Sequence, residues 1–247
     1  MVVRTTPWPA GTPCWVDIST DVDRAVAFYG GLFGWEFDIT APGHGGYAVA
    51  SKNGHAVAGV GPEQSPDQPS QWTTYLATDD VEASAEAVTE AGGRVAFGPV
   101  AVGDRGTMAI AADPAGVLFG LWQSGGKTGA ELVNEPGGLA WNEHTSGDVE
   151  TAKGFYAKVF GCTYDRVEGA GDYYLVNVPG GERPVGGIGQ GAGGWQVYFQ
   201  VADADEVVRE VRELGGGVVT APVDTPYGRM ARVTDDQGSS FHIVGER

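Results

Sequence analysis

The side chains in this sequence best suited to moving protons are few. Its four histidines are His44, His55, His144 and His242, and Glu143 stands directly before His144. Imidazole titrates closest to neutrality, and a carboxylate that orients it raises its pKa, which is the usual basis of general acid/base chemistry. Neighbouring residues on a strand point to opposite faces, so Glu143 and His144 cannot act together if this segment is extended. His144 therefore reads as structural. His44 and His55 lie in Gly-rich stretches, where an exposed turn residue is expected and a contact at the rim of a site is the alternative. Cys14 and Cys162 have no CxxC spacing and read as reduced thiols, neither a disulfide framework nor a thiolate zinc site. A GxSxG elbow, a Walker loop and a GxGxxG turn opening a helix are all missing from the sequence, which leaves hydrolase, nucleotide-dependent and dehydrogenase chemistry without support.

The 247 residues carry 15 Lys+Arg against 32 Asp+Glu, a formal net charge of −17, with 42% apolar residues. Such a chain repels phosphate backbones and anionic lipid, and it has no basic run to offset that field. The expectation is therefore no nucleic acid and no membrane partner. With no apolar stretch near the roughly 20 residues that span a bilayer, and no apolar core before Gly11, a cytoplasmic location is the default. Gly (41) and Pro (14) are abundant but fall in turns between apolar runs, as many short strands with tight connections require.

The elements that would position any site are written twice. Trp15, Phe28-Tyr29 and Leu32-Phe33-Gly34 recur as Trp141, Phe155-Tyr156 and Val159-Phe160-Gly161. Tyr47 to Gly59-Val60-Gly61 is aligned with Tyr174 to Gly187-Ile188-Gly189. Trp72, Tyr75, Met108 and Asp113 to Gly116 return as Trp195, Tyr198, Met230 and Asp235 to Gly238. An internal repeat of this length marks two copies of one module. Residues 1–123 form the first, 124–136 a polar, Gly-containing linker, and 137–247 the second.

Within each copy the periodicity changes in the same order. Thr12–Ser19 alternates as a strand; Val22, Ala25, Val26, Tyr29, Leu32 and Phe33 then share one helical face, with Asp21 as cap and Gly34 as terminator. Three short strand candidates ending near Val60, a strand at 72–78 and a helix from Val81 to Ala91 closed by Gly92-Gly93 follow. Two closing strands fall at 107–112 and 117–123. The unit is βαβββ, twice per module, with fewer evident strands in the second half.

The helix from Val22 to Phe33 with its Phe28-Tyr29 and Phe33-Gly34-Trp35, and the terminal Asp113-Pro114-Ala115-Gly116 before an apolar strand, resemble the vicinal oxygen chelate superfamily. That superfamily includes glyoxalases, extradiol dioxygenases, epimerases and bleomycin-resistance proteins, and the closest likeness is to tandem two-module glyoxalase-like proteins of actinomycetes. The resemblance implies an α+β fold of two tandem modules of paired βαβββ units, forming open, cup-shaped mixed sheets that hold a ligand. It also implies a divalent metal held by side chains on the first, fifth and last strands. The matching positions are Trp15, Thr73 and Gly120 in the first module and Trp141, Gln196 and His242 in the second. Metal chelation needs converging carboxylate or imidazole donors at about 2.0–2.6 Å, which the first set lacks.

Alternation assigns Trp15, Asp17, Thr73, Tyr75, Gly120 and Trp122 to the first cup, and Trp141, Glu143, Gln196, Tyr198, Gln200, Ser240 and His242 to the second. The opposite face of the first sheet, Val16, Ile18, Thr74, Leu76, Phe119 and Leu121, would pack on the helices. Trp15 and Trp141 either stack on a planar ligand or plug their cups. Tyr75 and Tyr198 either bond a ligand or pack with a satisfied hydroxyl. Asp17 either anchors a hydroxylated or cationic ligand or pairs with Arg24 or Lys52. Glu143 and His242 form the candidate catalytic pair, with Glu143 orienting the imidazole and raising its pKa; Trp15, Asp17, Tyr75, Trp122, Trp141, Gln196 and Tyr198 are the candidate ligand-binding residues.

The expectation is thus a metabolite-tailoring enzyme of isomerase, cyclase or epimerase type, without a cofactor or metal, acting on an apolar or planar compound. One alternative is a non-catalytic drug-binding resistance protein. Another is a metal-dependent lyase or dioxygenase with a divalent ion at Glu143, Gln196 and His242. The two modules are expected to pair within the chain as a monomer, with a homodimer as the alternative.

Overall fold

The computed structural model describes residues 3–39, 46–63 and 69–246; His44 lies outside them. Each module is two βαβββ units in one open sheet. In the first, β1 (Pro13–Thr20), α1 (Val22–Phe33), β2 (Glu36–Asp38), β3 (Ala48–Lys52) and β4 (His55–Pro62) precede β5 (Gln71–Thr78), α2 (Val81–Glu90), β6 (Arg94–Ala101), β7 (Gly106–Ala112) and β8 (Leu118–Ser124). The second repeats this with β9 (Leu139–Ser146), α3 (Val149–Phe160), β10 (Thr163–Arg166), β11 (Tyr173–Asn177), β12 (Gly186–Gln190), β13 (Gly194–Gln200), α4 (Ala204–Glu213), β14 (Gly217–Thr225), β15 (Gly228–Thr234) and β16 (Ser240–Gly245). Both sheets have eight strands, ordered β2-β3-β4-β1-β5-β8-β7-β6 and β10-β11-β12-β9-β13-β16-β15-β14, and neither closes into a barrel. The unit interface is the antiparallel β1–β5 pair, flanked by parallel β1–β4 and β5–β8.

The helices form where the sequence places them. The Asp21 side chain accepts from the Arg24 amide, and Gly34 closes α1 at φ 66°, a left-handed conformation that costs glycine little. Asp148 and Gly161 do the same for α3. The second half of each module has its full complement of strands. Those not evident from the sequence are β6 and β14, because they are mostly exposed, carry Pro99 and Pro222, and are interrupted by bulges. A bulged edge strand has no clean period of two.

The modules share their interiors. Val16, Ile18, Thr74, Leu76, Phe119 and Leu121 are all buried behind the first sheet, as the alternation predicts. One core joins α1 and β1 to β13, α4 and β16 of the other module, with Phe33 5.2 Å from Phe199 and Tyr29 5.7 Å from Phe241, ring centre to ring centre. The other core joins α2 and β8 to α3, with Phe119 5.7 Å from Tyr156. Two aspartates bolt these layers together. Asp235 accepts the Gln237 and Ser239 amides through Oδ1 and the Tyr29 hydroxyl through Oδ2. Asp113 accepts the Ala115 and Val117 amides through Oδ1 and lies 3.0 Å from His144 Nε2 through Oδ2. His144 is therefore a buried residue on the face away from the cup.

Candidate functional site

Each concave face carries the same four groups. In the first cup, Asp17 lies on β1 and Tyr75 opposite Trp15 on β5. The Tyr75 hydroxyl donates to Asp17 Oδ2 at 2.9 Å and the Tyr47 hydroxyl to the same oxygen at 3.2 Å, while the Trp15 indole N–H donates to the Tyr47 oxygen at 3.0 Å. Tyr47 reaches Asp17 by lying over Gly59, where a Cβ would stand 1.7 Å from its hydroxyl. Neither Arg24 nor Lys52 pairs with Asp17: Arg24 bonds Asp236 and Lys52 bonds the Phe33 carbonyl. Burial outweighs the two tyrosine hydrogen bonds and pushes the Asp17 carboxyl from its ordinary 3.8 up to about 7, because an ion loses more by desolvation than two donors restore.

The second cup repeats the group with a longer acid. Tyr173 and Tyr198 interact with the Glu143 carboxyl and favour its charged form, and the Trp141 N–H lies 3.4 Å from the Tyr173 oxygen. Tyr173 lies over Gly187, where a Cβ would be 2.0 Å from its hydroxyl. Burial again raises the carboxyl pKa against the pull of the tyrosines. Tyr47 and Tyr173 are the site residues that sequence reasoning did not single out. The alignment of Tyr47 with Tyr174 is off by one: Tyr173 faces Gly189, whereas Tyr174 pairs with Ile188 and lies under the Lys153 ammonium, 3.7 Å from its ring centre. The pairs Gly59/Gly61 and Gly187/Gly189, small residues two apart on a strand, were the available signal for a ring lying across the sheet.

The cups differ where β8 and β16 face the tyrosine. Gly120 pairs with Tyr75 and lets the ring lie flat, a Cβ there being 1.9 Å from Tyr75 Cδ1. His242 pairs with Tyr198 and stacks on it, centroids 4.2 Å apart. Burial and the neighbouring Arg232 lower the His242 pKa from 6.5 to about 4. This is opposite in direction to the rise expected from a Glu143 partner, which is not among the groups acting on the ring, so His242 is a neutral imidazole at pH 7. Arg232 is held by Ser240 Oγ at 2.7 Å. Gln196 is opposite Glu143, but its amide N–H donates to the Gly193 carbonyl at 3.1 Å. Trp122, in the first module, donates to the Lys127 carbonyl at 3.1 Å.

These donors do not suit a divalent ion. Among the described residues there is no group of three His, Cys, Asp or Glu placed to hold one. Around Glu143 the set is one buried carboxylate, one amide turned to a backbone carbonyl and one imidazole stacked under a ring, where a catalytic centre needs three converging ligands. What the arrangement can do is position an oxygenated ring against Trp141 and exchange a proton through a desolvated carboxyl.

An open two-module sheet with such cups defines a glyoxalase-like protein. The chain belongs to the Glyoxalase/Bleomycin resistance protein/Dioxygenase superfamily, whose family model matches residues 18–121 and 138–243. It is 40% identical to the "Putative glyoxylase CFP32" of Mycobacterium tuberculosis, over 95% of this chain and 94% of that one. It is 38% identical to the anthracycline biosynthesis protein DauV of Streptomyces sp. strain C5, over 97% and 94% of the two chains. In fold it is similar to the Mn(II)-bound glyoxalase of Novosphingobium aromaticivorans, with a TM-score of 0.69 at 17% identity over 96% of this chain and 83% of that one. No helix among the described residues is long and apolar enough to cross a membrane.

Proposed function

We propose that the protein binds a planar, oxygenated aromatic metabolite in the second cup and moves a proton on it through Glu143, without a metal. The reaction class is isomerisation, cyclisation or epimerisation. The observation that carries this reading is the buried carboxyl of Glu143, two residues along β9 from Trp141, on which Tyr173 and Tyr198 act. Trp141 supplies a stacking face, worth about 0.5–1.5 kcal/mol beyond area burial. The tyrosines hold the acid in place, and its burial makes the ionised form a stronger base than an exposed glutamate. His242, neutral and next to Arg232, serves as a hydrogen-bonding partner for a ligand oxygen rather than as a cation. The relatives named for anthracycline biosynthesis support a polycyclic aromatic as the ligand class.

The test is turnover of a panel of hydroxylated polycyclic aromatic ketones followed by mass spectrometry, with and without chelator. Many equivalents converted by the wild type, an unchanged rate after chelation, and loss of about 100-fold or more in Glu143→Gln fit the proposal. Tight stoichiometric binding with no conversion would establish the drug-binding alternative, and loss of conversion on chelation the metal-dependent one.

A further inference from the structure

One row of residues runs across the floor of the second cup. Arg232 on β15 pairs with His242 on β16, His242 with Tyr198 on β13, and Tyr198 with Trp141 on β9. Directly opposed residues share a face of the sheet, and the neighbours of Arg232, Ala231 and Val233, are buried in the core, so Arg232 stands on the concave side. The corresponding row of the first module ends in Ile110, opposite Gly120. Only the second cup carries a cation at this position.

Its surroundings leave that charge unused. Arg232 is half-buried, and among the described residues its guanidinium donates through Nε to the Ser240 hydroxyl and to no other protein group. Arg24, Arg166 and Arg229 each hold a carboxylate, but none of the 32 acidic side chains of the sequence is printed against Arg232 among the described residues. A permanently charged guanidinium drawn out of water without a counter-ion costs folding free energy. Glu143 does not serve as that counter-ion. The Arg232 charge acts on His242 and Tyr198 and is not among the groups acting on Glu143. β9 and β15 are separated by β13 and β16, three steps of about 4.8 Å. The sheet also curls, since Tyr227 in the β14–β15 turn is within electrostatic reach of Tyr173 on β11. Glu143 and Arg232 therefore reach inward from two walls, with Tyr198 and His242 between them.

We propose that Arg232 is a catalytic residue of the second cup, whose free guanidinium nitrogens hold the substrate oxygen that becomes negative as Glu143 removes a proton. The substrate class is then a ring ketone with an acidic C–H next to its carbonyl or conjugated with it. The C–H bond breaks, the proton passes to the Glu143 carboxylate, and the electron pair moves through the conjugated carbons onto the carbonyl oxygen. The enolate so formed is paired with Arg232 and hydrogen-bonded by the neutral imidazole of His242. Return of the proton from Glu143 to a different carbon completes an isomerisation, and no oxidant or reductant is needed. Fixed charge aimed at the atom where negative charge develops is a large term in such catalysis. This assignment rests on the reading of the second cup as the site of proton transfer.

The probe is 4-nitro-1-naphthol, whose coloured naphtholate presents a charged oxygen on a planar ring in place of the enolate; its methyl ether is the uncharged control. Both are titrated against the full chain at pH 8 by calorimetry, and the naphtholate also by its absorption. The expected result is that the wild type binds the naphtholate about tenfold or more tightly than the ether. Arg232→Met weakens the naphtholate about tenfold or more and leaves the ether unchanged, and Arg232→Lys restores part of the loss. Glu143→Gln keeps the naphtholate. Trp141→Ala weakens both probes. A wild type without preference for the naphtholate overturns the assignment of Arg232 whatever the variants do. So does an Arg232→Met variant that loses both probes equally or neither, and in each of these cases weakening of both probes by Trp141→Ala leaves the second-cup reading standing. A wild type that binds neither probe overturns both.

Discussion

His242 lies face to face with Tyr198, the ring planes 16° from parallel, where the first module has Gly120 under Tyr75. The second cup is thereby shallower at this point by one aromatic thickness, and its tyrosine rests on an imidazole that burial and Arg232 keep neutral.

That neutrality gives a pH dependence. The folded pKa of His242 is about 4 against an ordinary 6.5, so below pH 6.5 the unfolded chain takes up the proton first. Its contribution to stability is complete above pH 6.5 and is lost as pH falls towards 4. Urea unfolding between pH 4 and 7 should show a shallower loss in His242→Gln than in the wild type; parallel curves would contradict the assigned environment.

Asp17 should act in the reverse sense. Its folded pKa is raised to about 7 from 3.8, so the folded state holds the proton more tightly, and its contribution is full below pH 4 and is lost as pH rises to 7. In Asp17→Asn this decline disappears, and the variant gains on the wild type between pH 4 and 7. A carboxyl stretch in infrared difference spectra that titrates near pH 7 and is absent from Asp17→Asn would report the same group directly.

Two glycine substitutions should test how the tyrosines are seated on the sheet. In Gly59→Ala the new methyl meets the far end of Tyr47 and also the Asp17 Cβ at 2.9 Å, so Tyr47 must swing away, its hydrogen bonds with Asp17 and Trp15 are lost, and a cost of about 1–3 kcal/mol is expected. In Gly120→Ala it meets the base of the Tyr75 ring, with Cδ1 at 1.9 Å and Cγ at 2.4 Å, and the strand itself must give. A cost of about 1–3 kcal/mol is expected there, measurable as a lower urea midpoint.

The inter-module bolts make a further prediction. Asp113→Ala removes the acceptor of two backbone amides and of the buried His144, and should cost about 3 kcal/mol or more. Tyr29→Phe removes one bond to Asp235 and leaves the Trp72 N–H, now 3.2 Å from the Tyr29 oxygen, unpartnered, for about 1–3 kcal/mol. Both should lower a single cooperative transition; two separate transitions would show that the modules unfold independently.

What could be read in the sequence was whatever is local or periodic. Asp21 and Gly34 delimit α1 because a cap and a left-handed terminator act within a few residues. The alternation of Trp15 to Ile18 sets both faces of β1, and burial of Val16 and Ile18 follows. The position of Tyr173 was missed because in the second copy Gly187 comes fourteen positions after the cup tyrosine, where in the first Gly59 comes twelve after Tyr47, and a doublet of tyrosines absorbs the shift. The pairing of Tyr29 with Asp235, 206 positions apart, leaves no trace in any window.

The sharing of each core between the two halves has a consequence for how such a chain can be taken apart. Cutting within 124–136 would not yield two self-sufficient proteins, since α1 would lose Phe199 and Phe241 and α3 would lose Phe119. The fragments should instead find one another and rebuild the whole as a non-covalent pair. In that arrangement a first fragment from one source could be matched with a second from another, so the two cups can be exchanged as parts while the seam between them is kept.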